Sequence, residues 1–217
     1  MDMLSSHLLP PMIIFKGTFG GFLMKKWSKY SKSFVLFTKN HWMTSETTVL
    51  YLRWLMMIYS GKKIGLIIDY APAHNSEEVR TWTKTLNEAS TDGTSIVIEW
   101  IDPSLTSVYQ PGDITVNKPL KGKIRAHYYS YLTDSASSFK PGARLKVSRE
   151  NLVKFVERSF DEVNAEQRFN RSITRSFQIC GLDPWAESLV KFTKHLDSLT
   201  TTKVYETLVK HQEAITF

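Results

Sequence analysis

Apolar positions along this chain fall into short continuous runs separated by stretches of helical periodicity, the alternation expected of an α/β protein. Met12-Ile13-Ile14-Phe15 follows two prolines and precedes Lys16-Gly17, which predicts a buried strand entered from a loop. Ser33 to Thr38 is mostly apolar and predicts a second strand. Met43-Thr44-Ser45-Glu46 marks a helix start with Thr44 or Ser45 as cap. Val49, Leu50, Leu52, Trp54, Leu55 and Ile58 continue that helix until Gly61-Lys62-Lys63 ends it. Ile64 to Ile68 is short, nearly all apolar and bounded by charge, so it reads as a central strand buried on both faces. Ser76-Glu77-Glu78 sets acids at the positive end of a helix dipole and opens a helix running to about Ala89. Thr91-Asp92-Gly93 turns the chain into Ser95 to Ile101, a second central strand rich in β-branched residues. Helix, strand, helix, strand in that order implies parallel neighbours in an α/β sheet.

Past that strand, residues 102–112 form a loop rich in Pro, Ser and Gly, and Asp113 opens a segment that becomes helical from about Pro119 to Leu132. Ser, Asp, Pro and Gly cluster from Thr133 to Gly142 and predict a linker. The expected organisation is an α/β domain at 1–132, a linker at 133–147 and a helical C-terminal region at 148–217. In that last region Ser148-Arg149-Glu150 caps a helix to about Asn164, and Arg168 to Ile179 makes another before Gly181. Trp185, Leu189 and Phe192 recur at helical spacing in the tail, and no internal repeat is visible.

Composition then narrows the partners. A chain of 217 residues is long enough for one domain with a real core, and 42% hydrophobic with 23% charged residues excludes wholesale disorder. A net charge of +7 and a pI near 9.4 favour a polyanionic partner. Cys180 is the only cysteine, which excludes an intrachain disulfide and a thiolate zinc cluster and sets an intracellular expectation. The N-terminal stretch lacks a basic n-region and its apolar run is broken by Pro10-Pro11, so it does not read as a signal peptide. Val49 to Tyr59, the greasiest later stretch, carries Arg53 and falls short of the roughly 20 residues a membrane span needs, so no membrane anchor is expected. Lys25, Lys26, Lys29 and Lys32 interleave with Trp27 and Tyr30, a pattern that suits either a nucleic-acid grip or a solvated hairpin rim.

The candidate chemistry lies in two aspartates. Asp69 closes one central strand and Asp113 lies past the end of its neighbour, on the sheet edge where open α/β sheets bind ligands. Two convergent carboxylates suit Mg²⁺ or Mn²⁺, hard cations that prefer oxygen. In phosphoryl transfer such ions activate the attacking oxygen and stabilise the leaving one, usually as a pair about 4 Å apart. An aspartate after a strand also caps the next helix, so this pair alone leaves both readings open. Lys118, Lys121 and Arg125 share one face of a helix, with Lys123 and His127 to the side, and either take DNA phosphates or form a solvated basic face. Tyr128, Tyr129 and Tyr131 on the same helix are read as core rather than as a stacking platform.

The residues around the acids separate those readings. Asp69-Tyr70-Ala71-Pro72-Ala73-His74 resembles the signature at the second catalytic aspartate of DDE superfamily endonucleases, the transposase-derived domain of the pogo, Tigger and jerky groups within mariner-like elements. The run from Asp102 to Gln110-Pro111-Gly112-Asp113, continuing Val116-Asn117-Lys118-Pro119-Leu120-Lys121, looks like the segment leading to that family's third acid. Leu9-Pro10-Pro11-Met12-Ile13-Ile14-Phe15-Lys16-Gly17 and Trp42-Met43-Thr44 are also typical of it. The resemblance implies an RNase H-like α/β fold, a mixed sheet with flanking helices, whose first strands are missing here. It implies metal-dependent DNA cleavage and strand transfer, with Asp69 and Asp113 as catalytic metal ligands for Mg²⁺ or Mn²⁺. DNA is the implied partner, homo-oligomers are compatible with it, and the implied location is the nucleus.

Departures from the family pattern carry equal information. Tyr70 stands where the family usually has asparagine, which leaves the ligand itself in place. His74 either touches substrate or a neighbouring acid or simply starts the next helix. Asp2 is the sole acid before Leu9 and lacks a preceding apolar strand, so the first catalytic position has no candidate and the helix-turn-helix reader is absent. Losing one ligand of a preorganised site costs orders of magnitude in rate. The chain alone is therefore expected to be inactive, and the alternative is a noncatalytic remnant acting as a DNA-binding or protein-interaction module. A third reading makes the aspartates simple helix caps in an unrelated α/β protein.

Overall fold

The computed structural model describes residues 1–18, 32–101, 103–105, 109–135 and 147–183. The lysine and aromatic run up to Tyr30, most of the expected linker and the tail containing Trp185 lie outside the described residues. The chain is a mixed α/β fold built from β1 (Met12–Lys16), β2 (Phe34–Thr38), α1 (Ser45–Ile58), β3 (Lys63–Asp69), α2 (Glu77–Glu88) and β4 (Ser95–Ile101). A 3₁₀ turn at Pro103–Leu105 and a π-helical turn at Gly112–Val116 lead into α3 (Asn117–Ser135), followed by α4 (Arg149–Asn170) and α5 (Ser172–Ile179). No helix among the described residues is long and apolar enough to cross a membrane.

The described strands form two separate parallel pairs, β1 with β2 and β3 with β4, rather than one continuous mixed sheet. In the first pair, Val35, Leu36 and Phe37 are buried. Val35 and Phe37 pack on Val153 of α4 with Ile13 and Phe15 alongside, while Phe34 stacks on Trp54 of α1 at 5.8 Å between ring centroids. The second pair is covered by α1 and α2 on one face, through Leu52, Leu55, Val79 and Ile96 with Ile64, Leu66 and Ile98. Its other face carries Val97, 69% exposed, with exposed Gly65 and Glu99. The expectation that β3 is buried on both faces is thus corrected: no residue of that strand is buried among the described residues, whose core packing reaches it on one face at Ile64 and Leu66. Glu99, alternating with Val97 along β4, is the residue that marks this open face.

Parallel pairing also fixes which main-chain groups are used. Ser95 N donates to Lys62 O at 3.2 Å and Tyr70 N to Ile101 O at 3.1 Å, so the even-numbered residues of β3 bond β4 and the main chain of Gly65 and Ile67 points from its outer edge. On β4 the outer edge is guarded at Ile96. The Asn87 side chain donates to Ile96 O and accepts from Ile96 N, both at 2.8 Å, and so completes the edge as a further strand would.

Capping explains the helix boundaries. Thr44 Oγ1 accepts from Thr47 N at 3.3 Å and Thr47 Oγ1 accepts from Thr44 N at 2.8 Å, a reciprocal cap that starts α1 where the sequence predicts. Ser76 and Ser148 cap α2 and α4 through Val79 N and Asn151 N. Two boundaries differ from expectation. The helix expected from about Pro119 begins earlier, as the π-helical turn at Gly112. The expected helix from Arg168 to Ile179 is broken at Arg171, which adopts the left-handed conformation at φ 45°. Buried Gln167 fixes that corner by donating to Ser172 Oγ at 2.9 Å and accepting from Ile173 N at 2.9 Å.

Candidate metal centre and nucleic-acid face

Asp69 is the last residue of β3 and is half-buried. The turn beyond it is held by His74 N donating to Ala71 O at 2.8 Å and Asn75 N to the same oxygen at 3.0 Å. Thr48 of α1 reaches across and donates to Ala73 O at 2.9 Å. This turn places His74 Nδ1 in hydrogen-bond contact with Asp69 Oδ1, while His74 Nε2 lies 3.2 Å from Met43 Sδ. Of the two expectations for His74, contact with a neighbouring acid is the one the fold realises.

Asp113 is exposed in the first turn of the π-helical segment and accepts from Asn117 Nδ2 at 2.6 Å through Oδ1. His74 and Asn117 line one cleft of about 450 Å³, together with Gly65 to Ile68, Gln110 and Pro111. The partners of the two acids therefore share a cleft, with Gln110 and Pro111 in the loop that leads to Asp113. Among the described residues no group of three or more His, Cys, Asp or Glu side chains is assembled as a metal site.

Asp2, the acid set aside in the sequence, is held elsewhere. Its carboxylate accepts from Leu4 N at 2.9 Å, Ser5 N at 3.2 Å and Tyr59 Oη at 2.9 Å. Partial burial acts to raise its pKa, yet the hydrogen bonds from Ser5, Tyr59 and Leu4 outweigh this and hold it below the ordinary carboxylate value.

The basic helix divides into two faces. Lys123 pairs with Glu166 at 2.7 Å and Glu162 at 3.6 Å, and His127 Nε2 lies 2.8 Å from Glu162, so these two side chains join α3 to α4. Lys118, Lys121 and Arg125 are exposed on α3, starting one turn past Asp113. Of the tyrosines read as core, Tyr131 packs on Phe155 at 5.7 Å, whereas Tyr129 is 63% exposed.

The chain matches the family of DDE superfamily endonucleases over residues 4–174 and belongs to it. Nuclease domains of this family act on DNA and generally use divalent metals. Neither a curated protein nor a solved structure matches the chain. Asn117 and its bond to Asp113 are the part of the site that the sequence reading passed over. The signal was the i,i+4 spacing of an acid and an amide in a segment about to become helical.

Proposed function

We propose that this chain is a transposase-derived DDE endonuclease domain of the pogo, Tigger and jerky kind, with Asp69 and Asp113 as two ligands of a divalent-metal site. The observation that carries this reading is the matched mounting of the two acids. Each acid has one oxygen in hydrogen-bond contact with a neighbouring side-chain nitrogen, Asp69 with His74 Nδ1 and Asp113 with Asn117 Nδ2, and these two neighbours line the same cleft. The other oxygen of each has no hydrogen-bond partner among the described residues, which suits hard-cation ligation. Bound Mg²⁺ or Mn²⁺ would supply activation of the attacking oxygen and stabilisation of the leaving one in phosphodiester cleavage and strand transfer.

The sheet geometry supports an RNase H-like architecture. The main chain of Met12 on β1 and of Gly65 and Ile67 on β3 faces away from the paired strands, and these residues border one cleft. One further extended strand there would join the two pairs into a single sheet. Lys118, Lys121 and Arg125 are the cations we assign to DNA phosphates. Work on chromosomal DNA would place the protein in a nucleus, and paired copies would suit strand transfer.

Titration with Mn²⁺, read by the loss of the free-ion resonance signal, tests the site. Asp69→Asn and Asp113→Asn are each expected to weaken binding by about an order of magnitude or more, as removal of a primary ligand should. Unchanged binding in both would remove the metal site. Replacing Lys118, Lys121 and Arg125 by alanine should lower DNA affinity for all sequences alike and flatten its salt dependence by about 3 in logarithmic slope. An unchanged slope would assign these side chains to solvent.

A second reading, a binding module that does not cut, is favoured by the engagement of Asp2 with Tyr59 and the 4–5 turn, which keeps that acid from completing the pair. A nicking assay with Mn²⁺ on supercoiled DNA separates the two: cleavage abolished by Asp69→Asn supports the nuclease, and DNA binding without cleavage supports the module.

A further inference from the structure

We propose that His74 and Asn117 are paired positioning residues, each holding one oxygen of one acid of the candidate metal site and leaving its second oxygen free of hydrogen bonds among the described residues. The inference rests on the metal reading of Asp69 and Asp113 and goes beyond it, because neither residue is itself offered as a ligand. A carboxylate has only lone pairs to offer, so His74 must present a protonated Nδ1 to Asp69, and Asn117 must present its Nδ2 amide to Asp113. Each contact fixes which oxygen of the acid is free.

The fold invests specific contacts in this arrangement. His74 is held by its turn bond to Ala71 O, by the Thr48 hydroxyl on Ala73 O next door, and by Met43 Sδ at 3.2 Å from the other ring nitrogen. Thr48 Oγ1 is itself 3.0 Å from Thr44 O, inside the reciprocal cap of α1, so the helix start and the acid's mount form one connected unit. Asn117 stands four residues after Asp113 and so on the same side of the helical segment, which between them is a π-helical turn. Neither donor is needed for the hydrophobic core. A helix-start role for His74 does not account for its contact with Asp69, since Ser76 already caps α2.

Mn²⁺ affinity, together with thermal unfolding of each variant, tests the pair. His74→Leu and Asn117→Leu should each weaken Mn²⁺ binding by about tenfold, the lower end of what outer hydrogen-bond partners of metal ligands supply. His74→Asn, whose side-chain amide can donate from near the position of Nδ1, should recover most of that loss, whereas a residue that only fills space would give no such rescue. Unchanged or tighter binding in His74→Leu and Asn117→Leu, with Asp69→Asn still weakened, would overturn the positioning role and leave the metal site standing. Equal losses in His74→Leu and His74→Asn, accompanied by equal falls in melting temperature, would also overturn it by showing a packing role. If Asp69→Asn and Asp113→Asn bind Mn²⁺ like the unaltered chain, both readings fail together, which the other outcomes do not produce.

Discussion

The two strand pairs of this molecule are alike in direction and opposite in surroundings. β1 and β2 sit between α1 and α4, and β2 buries Val35, Leu36 and Phe37. β3 and β4 are covered on one face, where Ile96 is buried, and exposed on the other at Gly65, Val97 and Glu99, with Ile101 buried at the strand end. Parallel sheets normally have both faces covered. The half-covered pair is also the one that ends in Asp69, so the candidate acid sits on the less buried of the two. Polar contacts hold what packing does not. Asp92 accepts from Ser60 Oγ at 2.5 Å, Gly61 N at 3.1 Å, Ser90 Oγ at 2.9 Å and Thr94 Oγ1 at 2.6 Å, which ties the entry of β3 to the entry of β4.

The largest test of this contrast is a matched pair of truncations. Phe37→Ala should cost about 3–5 kcal/mol, the range for a fully buried aromatic. Ile67→Ala, at a half-buried strand position, should cost about 1–2 kcal/mol, since less apolar surface is lost. Urea midpoints would measure both, and equal costs would break the contrast. Next in size, Asn87→Ala leaves Ile96 N and O without their edge partner and should cost about 1–2 kcal/mol. It should also promote association through the exposed edge, visible in sedimentation.

Asp92 gives the smallest expected effect and a pH signature. Hydrogen bonds from Ser60 and Thr94, then from Ser90, hold its carboxyl well below the ordinary value of 3.8. A depressed pKa in the folded state means that its contribution is present above that ordinary value and is lost as pH falls below it. Unfolding midpoints between pH 5 and 2 should therefore fall more steeply in the unaltered chain than in Asp92→Asn. Parallel profiles would mean that the turn is held by packing instead.

Several features were legible in the residues themselves. Thr44 with Thr47, and Ser76 with Glu77 and Glu78, announce helix starts because capping is local chemistry that depends only on neighbours. Asp69 after an apolar run marks a strand end, and the DDE motifs mark the family. Less legible was the exposure of β3. Its own residues are apolar on both faces, and the clue lay in Glu99 of its partner, which becomes informative only once the register is known. The break at Arg171 is not legible locally because it depends on the Gln167 side chain, which bonds Ser172 and Ile173 across the α4 to α5 corner.

By itself, then, the sequence determined the order of helices and strands, the parallel sense of β3 with β4, and the family. These follow from local propensity, periodicity and motif, each readable over a few consecutive residues. The tertiary structure alone decided that the described strands form two pairs, that one pair is open on a face, that Asn87 guards one edge, and that His74 and Asn117 hold the acids from a common cleft. Those outcomes depend on which distant segments meet, and a hydrogen bond such as Thr48 to Ala73 exists only after α1 has packed beside the end of β3.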